Sequence, residues 1–364
     1  MEFIDLKAQY RALQQDIDDR MRRVLEHGRF IMGPEVGELE SALAQYTGAA
    51  HCITVASGTE ALLIALMAAG IGPGDEVITT PFSFVATAEV IVLVGAKPIF
   101  VDIEPDTCNI AANLIEAKIT PATRAIIPVS LYGQPADMDE INELAARYNL
   151  LVIEDAAQSF GATYRDKRSC NLSTVGCTSF FPSKPLGCYG DGGAIFTSDA
   201  ALAQAMREIR THGQEKRYYH TRVGVGGRMD TLQCAIVLAK LGRLDWEIER
   251  RLTLGDRYHA ALASVDGLMP IAVRSDRTSV HGQFTVRAAT GKRDVFLKRM
   301  SDAGIPYAIH YPTPIDHQPA YRAYASREGC PASLAAAGQV FSLPMSADLT
   351  EADQDKIIGV LKGS

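Results

Sequence analysis

Residues 51–80 read HCITVASGTEALLIALMAAGIGPGDEVITT and hold a complete strand–helix–strand unit. His51–Ala56 is short, apolar and β-branched, as is Glu76–Thr80. Between them Thr59–Ala69 repeats apolar residues at helical spacing. Glycine and proline at Gly58, Gly70, Gly72 and Pro73 punctuate the joints. The rhythm continues downstream, with strands at Lys97–Val101, Ala125–Val129 and Leu150–Glu154 and helices at Ser83–Leu93, Ala111–Lys118 and Asp137–Tyr148. Such alternation predicts an α/β fold whose mostly parallel sheet is covered on both faces. Ligands in such sheets bind beyond the C-terminal strand ends, so the chemistry is to be sought in loops that directly follow strands.

The rhythm stops near Asp245. Asp245–Ala263 reads as a long charged helix, followed by strands and a helix near Arg293–Ala303. The expected division is a large domain over residues 1–244 and a smaller α+β domain over 245–364. A chain of 364 residues is long for one core. The helix near Gln9–His27 precedes the first strand and can pack on either domain.

Composition narrows the function. Hydrophobic residues make up 47% and charged residues 22%, as in ordinary globular proteins. A net charge of −7 offers no general attraction to nucleic acid or an anionic membrane. The N-terminal residues lack the apolar core of a signal peptide, and the apolar run Val90–Ala96 is too short to span a bilayer. The seven cysteines are odd in number, and Cys170, Cys177 and Cys188 lack zinc-site spacing. Buried thiols in a cytoplasmic protein, with no metal, are the expectation.

Three segments carry candidate chemistry. Ser57-Gly58-Thr59-Glu60 follows the strand ending at Ala56, where exposed N–H groups of a starting helix can bind phosphate. Taken alone, it is an ordinary capped turn more often than a phosphate cradle. Glu154 and Asp155 end an apolar strand and would point a carboxylate into the same crevice, or else cap the next turn. In SFFPSKPLGCYGDGGA, from Ser179, Lys184 stands between two prolines in a glycine-rich loop. Lysines usually sit solvated on helix faces, but lysine is also the side chain that forms Schiff bases with carbonyls. Pyridoxal phosphate requires this set: a lysine for its aldehyde, an acid for its ring nitrogen and a helix N-terminus for its phosphate.

These segments resemble a known family. SGTEAL, PFSFVATA, Glu154-Asp155-Ala156-Ala157-Gln158-Ser159, SFFPSKPLGCYGDGGA and GRMDTLQ occur in order and are similar to motifs of the DegT/DnrJ/StrS sugar aminotransferases. The likeness runs from FIDLKAQY at residue 3 to beyond His310. It implies the fold type I, aspartate aminotransferase-like architecture and a homodimer with active sites at the subunit interface. It also implies that Lys184 carries pyridoxal 5′-phosphate and moves the proton, while Asp155 pairs with the ring nitrogen. Gln158 would contact the ring hydroxyl. Phe84 would stack on the ring, though core packing is common for phenylalanine. Gly58, Thr59 and Ser179 would hold the phosphate. Many members have an asparagine two residues before the GRMD arginine, reaching the neighbouring subunit's phosphate; here that position is Gly226. Some relatives that dehydrate deoxysugars replace the lysine by histidine, so Lys184 favours transamination.

The implied reaction is ping-pong transamination, with L-glutamate as amino donor and a nucleotide-linked keto-sugar as acceptor. Arg207, Arg210, Lys216, Arg217 and Arg222, with His212 and His220, offer cations to an anionic substrate, although a solvated charged surface accounts for about half of such a cluster. Arg228 is favoured because it lies inside a family motif. His310 and Tyr311 resemble the segment that closes over the sugar, while a lone histidine is more often structural. The stretch from His212 to Gln233 looks most like the branch that aminates position 3 of UDP-linked 2-acetamido-3-keto-glucuronic acid for lipopolysaccharide O-antigens. Position 4 of a UDP- or dTDP-sugar stays open, as does a regulatory protein that binds the cofactor without catalysis. An NAD-dependent oxidoreductase ranks low because no G-x-G-x-x-G follows a strand.

Overall fold

The computed structural model describes residues 1–363. Its centre is a sheet of seven strands: β1 (His51–Val55), β2 (Glu76–Thr79), β3 (Lys97–Phe100), β4 (Thr123–Ile126), β5 (Leu151–Asp155), β8 (Val175–Ser179) and β9 (Gly193–Thr197). A small ribbon, β6 (Thr163–Tyr164) with β7 (Lys167–Arg168), interrupts the series. The strand order is β1-β9-β8-β5-β4-β2-β3. Every pair is parallel except those made by β9, which runs against both its neighbours. The strands β8 and β9 lie outside the expected rhythm because their connection is a loop, not a helix. That loop carries Lys184.

Both faces of the sheet are apolar, so neighbouring residues of one strand enter different cores. Ile53 and Val55 pack under helices α3 (Gly58–Ala68), α4 (Ala86–Leu93) and α6 (Ala200–Arg210), together with Ile153 and Ile195. Cys52, Ala194 and Phe196 pack on the other side against α2 (Pro34–Thr47) and α7 (Thr231–Leu241). Further along, Ile78, Ile126 and Val152 are covered by α5 (Met138–Tyr148). Helix α1 (Leu6–His27) lies on α7 through Leu13, Ile17, Ile236 and Ala239.

Two expected helices differ. Ala111–Lys118 forms two 3-10 turns, Ala112–Leu114 and Glu116–Lys118. A segment so short is marginal as an α-helix, and Pro121 blocks extension. Ser83 and Phe84 precede α4 instead of opening it, in a bend that follows Pro81. Their side chains are thereby free to face the cavity described below.

Helix α8 (Leu244–Leu262) joins two cores: Leu244 and Ile248 belong to the core under α2 and α7, whereas Leu254, Tyr258 and Leu262 belong to another. The latter is built on a three-stranded antiparallel sheet, β12 (Leu268–Pro270), β13 (Phe284–Ala288) and β14 (Val340–Leu343). Helices α9 (Arg293–Asp302) and α11 (Glu351–Lys362) cover it, and α10 (Pro331–Gln339) leads into β14. A short ribbon, β10 (Gln214–Lys216) with β11 (Tyr219–His220), stands exposed between α6 and α7. Among the described residues no helix is long and apolar enough to cross a membrane.

Candidate active site

Three parallel strands, β1, β5 and β8, end at one edge of the sheet, and each hands a side chain to the same place. A cavity of about 500 Å³ opens there. Its lining includes Ser57, Gly58 and Thr59 after β1, Asp155 and Gln158 at the end of β5, and Ser179 and Lys184 at the end of β8. Phe84 enters from the bend before α4, and His310 and Tyr311 from the chain that pairs with β14. All the residues expected to hold the cofactor therefore meet in one cavity. A larger open groove of about 750 Å³ beside β12 has neither lysine nor carboxylate in its lining.

The phosphate end of the cavity is built by close packing. Ser57 caps α3, its Oγ accepting the Glu60 N–H at 3.1 Å. The N–H groups of the next residues have no partner within the helix. A Cβ at Gly58 would stand 2.6 Å from the Ser179 Cβ, so only glycine lets the ends of β1 and β8 approach. The helix start and the serine thus form one cradle suited to an anion.

Alternation along β5 separates the two acids. Glu154 faces inward and accepts from Ser130, Ser169 and the Cys170 N–H, as a structural group. Asp155 faces the cavity, where its carboxylate accepts from Thr87 Oγ1 at 2.7 Å and the Ala157 N–H at 3.2 Å. Burial raises the Asp155 pKa; Thr87, Ala157 and the charge of Lys184 oppose the rise. A cationic ring nitrogen is the partner that would keep this carboxylate ionised.

Lys184 sits in the loop between β8 and β9, with its N–H bonded to the Phe181 carbonyl. Burial lowers its pKa, and Asp155 pulls it partly back. A lysine so placed is a better nucleophile than one in water. Phe84 is 56% exposed, which leaves a ring face free for stacking. Gln158 is engaged at both ends: its Oε1 accepts the Tyr132 N–H at 2.8 Å, and its Nε2 donates to the Tyr311 hydroxyl at 3.1 Å. His310 is held by Ser342 Oγ at 2.9 Å and is pushed down to about 4, by burial first and by Lys184 second. Acid, lysine, anion cradle and stacking ring together match pyridoxal phosphate group for group.

The family model described as the DegT/DnrJ/EryC1/StrS aminotransferase family matches residues 11–362. The chain belongs to that family. Its cofactor is accordingly pyridoxal 5′-phosphate, and the protein is an aminotransferase. Among its DegT relatives is "UDP-2-acetamido-2-deoxy-3-oxo-D-glucuronate aminotransferase" of Pseudomonas aeruginosa, 54% identical over 95% of each chain. A "Pleiotropic regulatory protein" of Geobacillus stearothermophilus is 43% identical over 98% of this chain and 96% of its own. DesV of S. venezuelae, solved in complex with a ketimine intermediate, superposes with a TM-score of 0.97 at 39% identity, covering 100% of this chain and 97% of its own.

Arg228, the expected substrate cation, does not line the cavity. Nor do the other cations of that region. Arg210 is buried against Glu40 and the Thr54 carbonyl, and Arg222 pairs with Glu208. Lys216 and Arg217 lie over Tyr219 and Tyr218 on the exposed ribbon. Sequence reasoning missed Ser83, Thr87, Phe181, Ser183, Asp191 and Gln283. Thr87 and Ser83 lie within PFSFVATA and were open to discovery there. Gln283 carries no sequence signal at all.

Proposed function

We propose that the protein transfers the amino group of L-glutamate to the 3-keto carbon of a UDP-linked 2-acetamido-2-deoxy-3-keto-glucuronic acid, in the cytoplasm, toward an O-antigen sugar. The convergence of Lys184, Asp155 and the Gly58–Ser179 cradle in one cavity carries the transamination. The likeness to the Pseudomonas aeruginosa enzyme supports the choice of sugar.

Pyridoxal phosphate, when bound, supplies an aldehyde that joins amines and a ring that draws electrons from the adjoining carbon. The remaining work belongs to side chains. Lys184 Nζ holds the cofactor, gives way to the incoming amine, and then takes and returns a proton as general base and acid. Asp155, steadied by Thr87, keeps the ring nitrogen protonated. The helix start at Gly58 and Thr59, with Ser179, neutralises the phosphate. Phe84 covers one ring face. Gln158 anchors Tyr311, which with His310 closes the cavity from the chain beyond residue 245. In this reading residues 1–244 and 245–364 act as large and small domains.

Among the described residues no arginine lines the cavity. The sugar is anionic, so a second copy is the natural source of Arg228. Exposed apolar side chains at Phe30, Ile31, Tyr218 and Val223 flank the segments that would meet it. We infer a homodimer with shared sites.

Product analysis tests this. Purified protein is given glutamate and a panel of UDP- and dTDP-linked 3-keto and 4-keto-sugars. Amination of the 3-keto-uronic acid in preference to the rest is expected; amination only at position 4 overturns the sugar assignment. The name of the Geobacillus stearothermophilus relative keeps a regulatory reading in view. A visible cofactor band that no amino donor shifts would favour that reading.

A further inference from the structure

Outside the cavity, His212 and Arg228 meet over a glycine. His212 lies just beyond α6, and its N–H donates to the Val225 carbonyl at 3.0 Å. Thr211 pairs with Gly226 in an antiparallel bridge. These contacts lay the His212 ring directly on Gly226. A Cβ at Gly226 would stand 3.1 Å from His212 Cε1, 3.3 Å from its Nε2 and 3.9 Å from Arg228 Nη2. The first distance is tighter than side chains ordinarily accept, so it is glycine that admits the ring. Two donor nitrogens thus flank one spot.

The chain itself makes no use of them. His212 has a φ of 63°, in the left-handed region that is uncommon for any residue with a side chain. Yet among the described residues neither the His212 nor the Arg228 side chain has a hydrogen bond or an ion pair. Nearby cations are spent, Arg210 on Glu40 and Arg222 on Glu208. Glu60 comes close on the Gly227 side, 3.3 Å from the Cβ position there, but pairs with neither residue. Neither His212 nor Arg228 lines the cavity of its own chain. His212 is exposed, and so are Tyr218 and Val223 on the same loop. Open N–H donors beside exposed apolar side chains suit a face that meets another subunit.

We propose that His212 and Arg228 form a two-pronged clamp for a phosphate seated in the cavity of a second copy. His212 donates from a ring N–H and Arg228 from its guanidinium. This rests on the homodimer with shared sites inferred above. Two phosphate groups come to that cavity, the cofactor's and the diphosphate of the sugar nucleotide, and the same donors suit both. Gly226 contributes by what it lacks, since a side chain there would displace the ring.

Two variants keep the left-handed backbone: His212→Gly removes the ring, and His212→Asn retains an N–H donor. Equilibrium dialysis of the holoenzyme gives the Kd for pyridoxal phosphate, and calorimetry gives the Kd for UDP. His212→Gly should weaken one or both by about tenfold with Tm unchanged or raised, and His212→Asn should recover part of the loss. The affinity that moves tells which phosphate is held. A mixed dimer then reports the direction of reach. One subunit carries Lys184→Ala with His212 intact; the other carries His212→Gly with Lys184 intact. Its single Lys184 site, followed by the visible band for the cofactor and by the sugar KM for the nucleotide, should behave as in wild type. A defect that persists there overturns the proposal, as does a lowered Tm without recovery in His212→Asn. A wild type that sediments as a monomer sinks the homodimer reading and this proposal together; a dimer whose two affinities ignore His212→Gly sinks this one alone.

Discussion

Two groups set the chemistry at the scale of the residue. Lys184 has its pKa lowered by burial, and Asp155 has its own raised for the same reason, while each charge partly offsets the other's shift. Replacing Lys184 by alanine removes both the attachment point and the proton carrier. Turnover should fall by at least ~10²- to 10⁴-fold, while weak cofactor binding persists. Steady-state rates and cofactor absorbance check this, and full activity would refute the role. Thr87 is subtler. Its hydroxyl donates to the buried Asp155 carboxylate and holds the acid's pKa down. Thr87→Val should cost about 1–3 kcal/mol of stability. It should also raise the Asp155 pKa further, so the acidic limb of kcat/KM moves to higher pH. An unmoved limb would show that Asp155 does not titrate in the working enzyme.

The elements decide whether these groups meet. The sheet edge where β1, β5 and β8 end is the meeting place, and its tightest contact is Gly58 against Ser179. Gly58→Ala would push a methyl into the Ser179 side chain and force the ends of β1 and β8 apart. Cofactor affinity should fall about tenfold or more, with a stability loss of about 1–3 kcal/mol; fluorescence titration and thermal melts measure the two. Alternation within β5 decides a second matter. Glu154 and Asp155 are adjacent and equally acidic, yet one is spent on Ser130, Ser169 and Cys170 while the other faces the ligand. Sequence alone left that choice open, because the period of two is visible but not which face is which.

For the whole molecule, buried imidazoles couple stability to acid. Burial holds His310 down to about 4 and His281 to about 3. Both values lie below that of an unfolded histidine, so as pH falls the folded state takes up fewer protons than the unfolded chain. The stability they contribute is complete above about pH 6.5 and is lost as pH drops toward 4, by about 1.4 kcal/mol per pH unit for each ring. Melts of wild type and His281→Leu between pH 7 and 4.5 should show a shallower decline in the variant. Assembly gives the other prediction. Tyr218 and Val223 are 79% and 83% exposed on and beside the β10–β11 ribbon. Tyr218→Asp with Val223→Asp should convert a sedimenting dimer to monomer and reduce activity without lowering monomer helicity. A doubly substituted protein that stays dimeric and active would place the interface elsewhere.

Much was legible from residues alone. Strand and helix rhythm over residues 51–155, the lysine between two prolines and the acid at a strand end are local patterns, and local patterns survive in one dimension. The strands β8 and β9 were not legible, because antiparallel neighbours joined by a loop break the strand–helix rhythm. Which cavity Arg228 serves was not legible, because a motif records order, not which way a side chain leaves the chain. Gln283 reaches the cavity from more than a hundred positions beyond Asp155, so only the packing of β13 against the Lys184 loop reveals it. The sequence by itself determined the chemistry, since the reactive groups are set by residue type. The tertiary structure alone decided which side chains share the cavity and which polar atoms are already paired, because hydrogen bonding is settled by proximity in space.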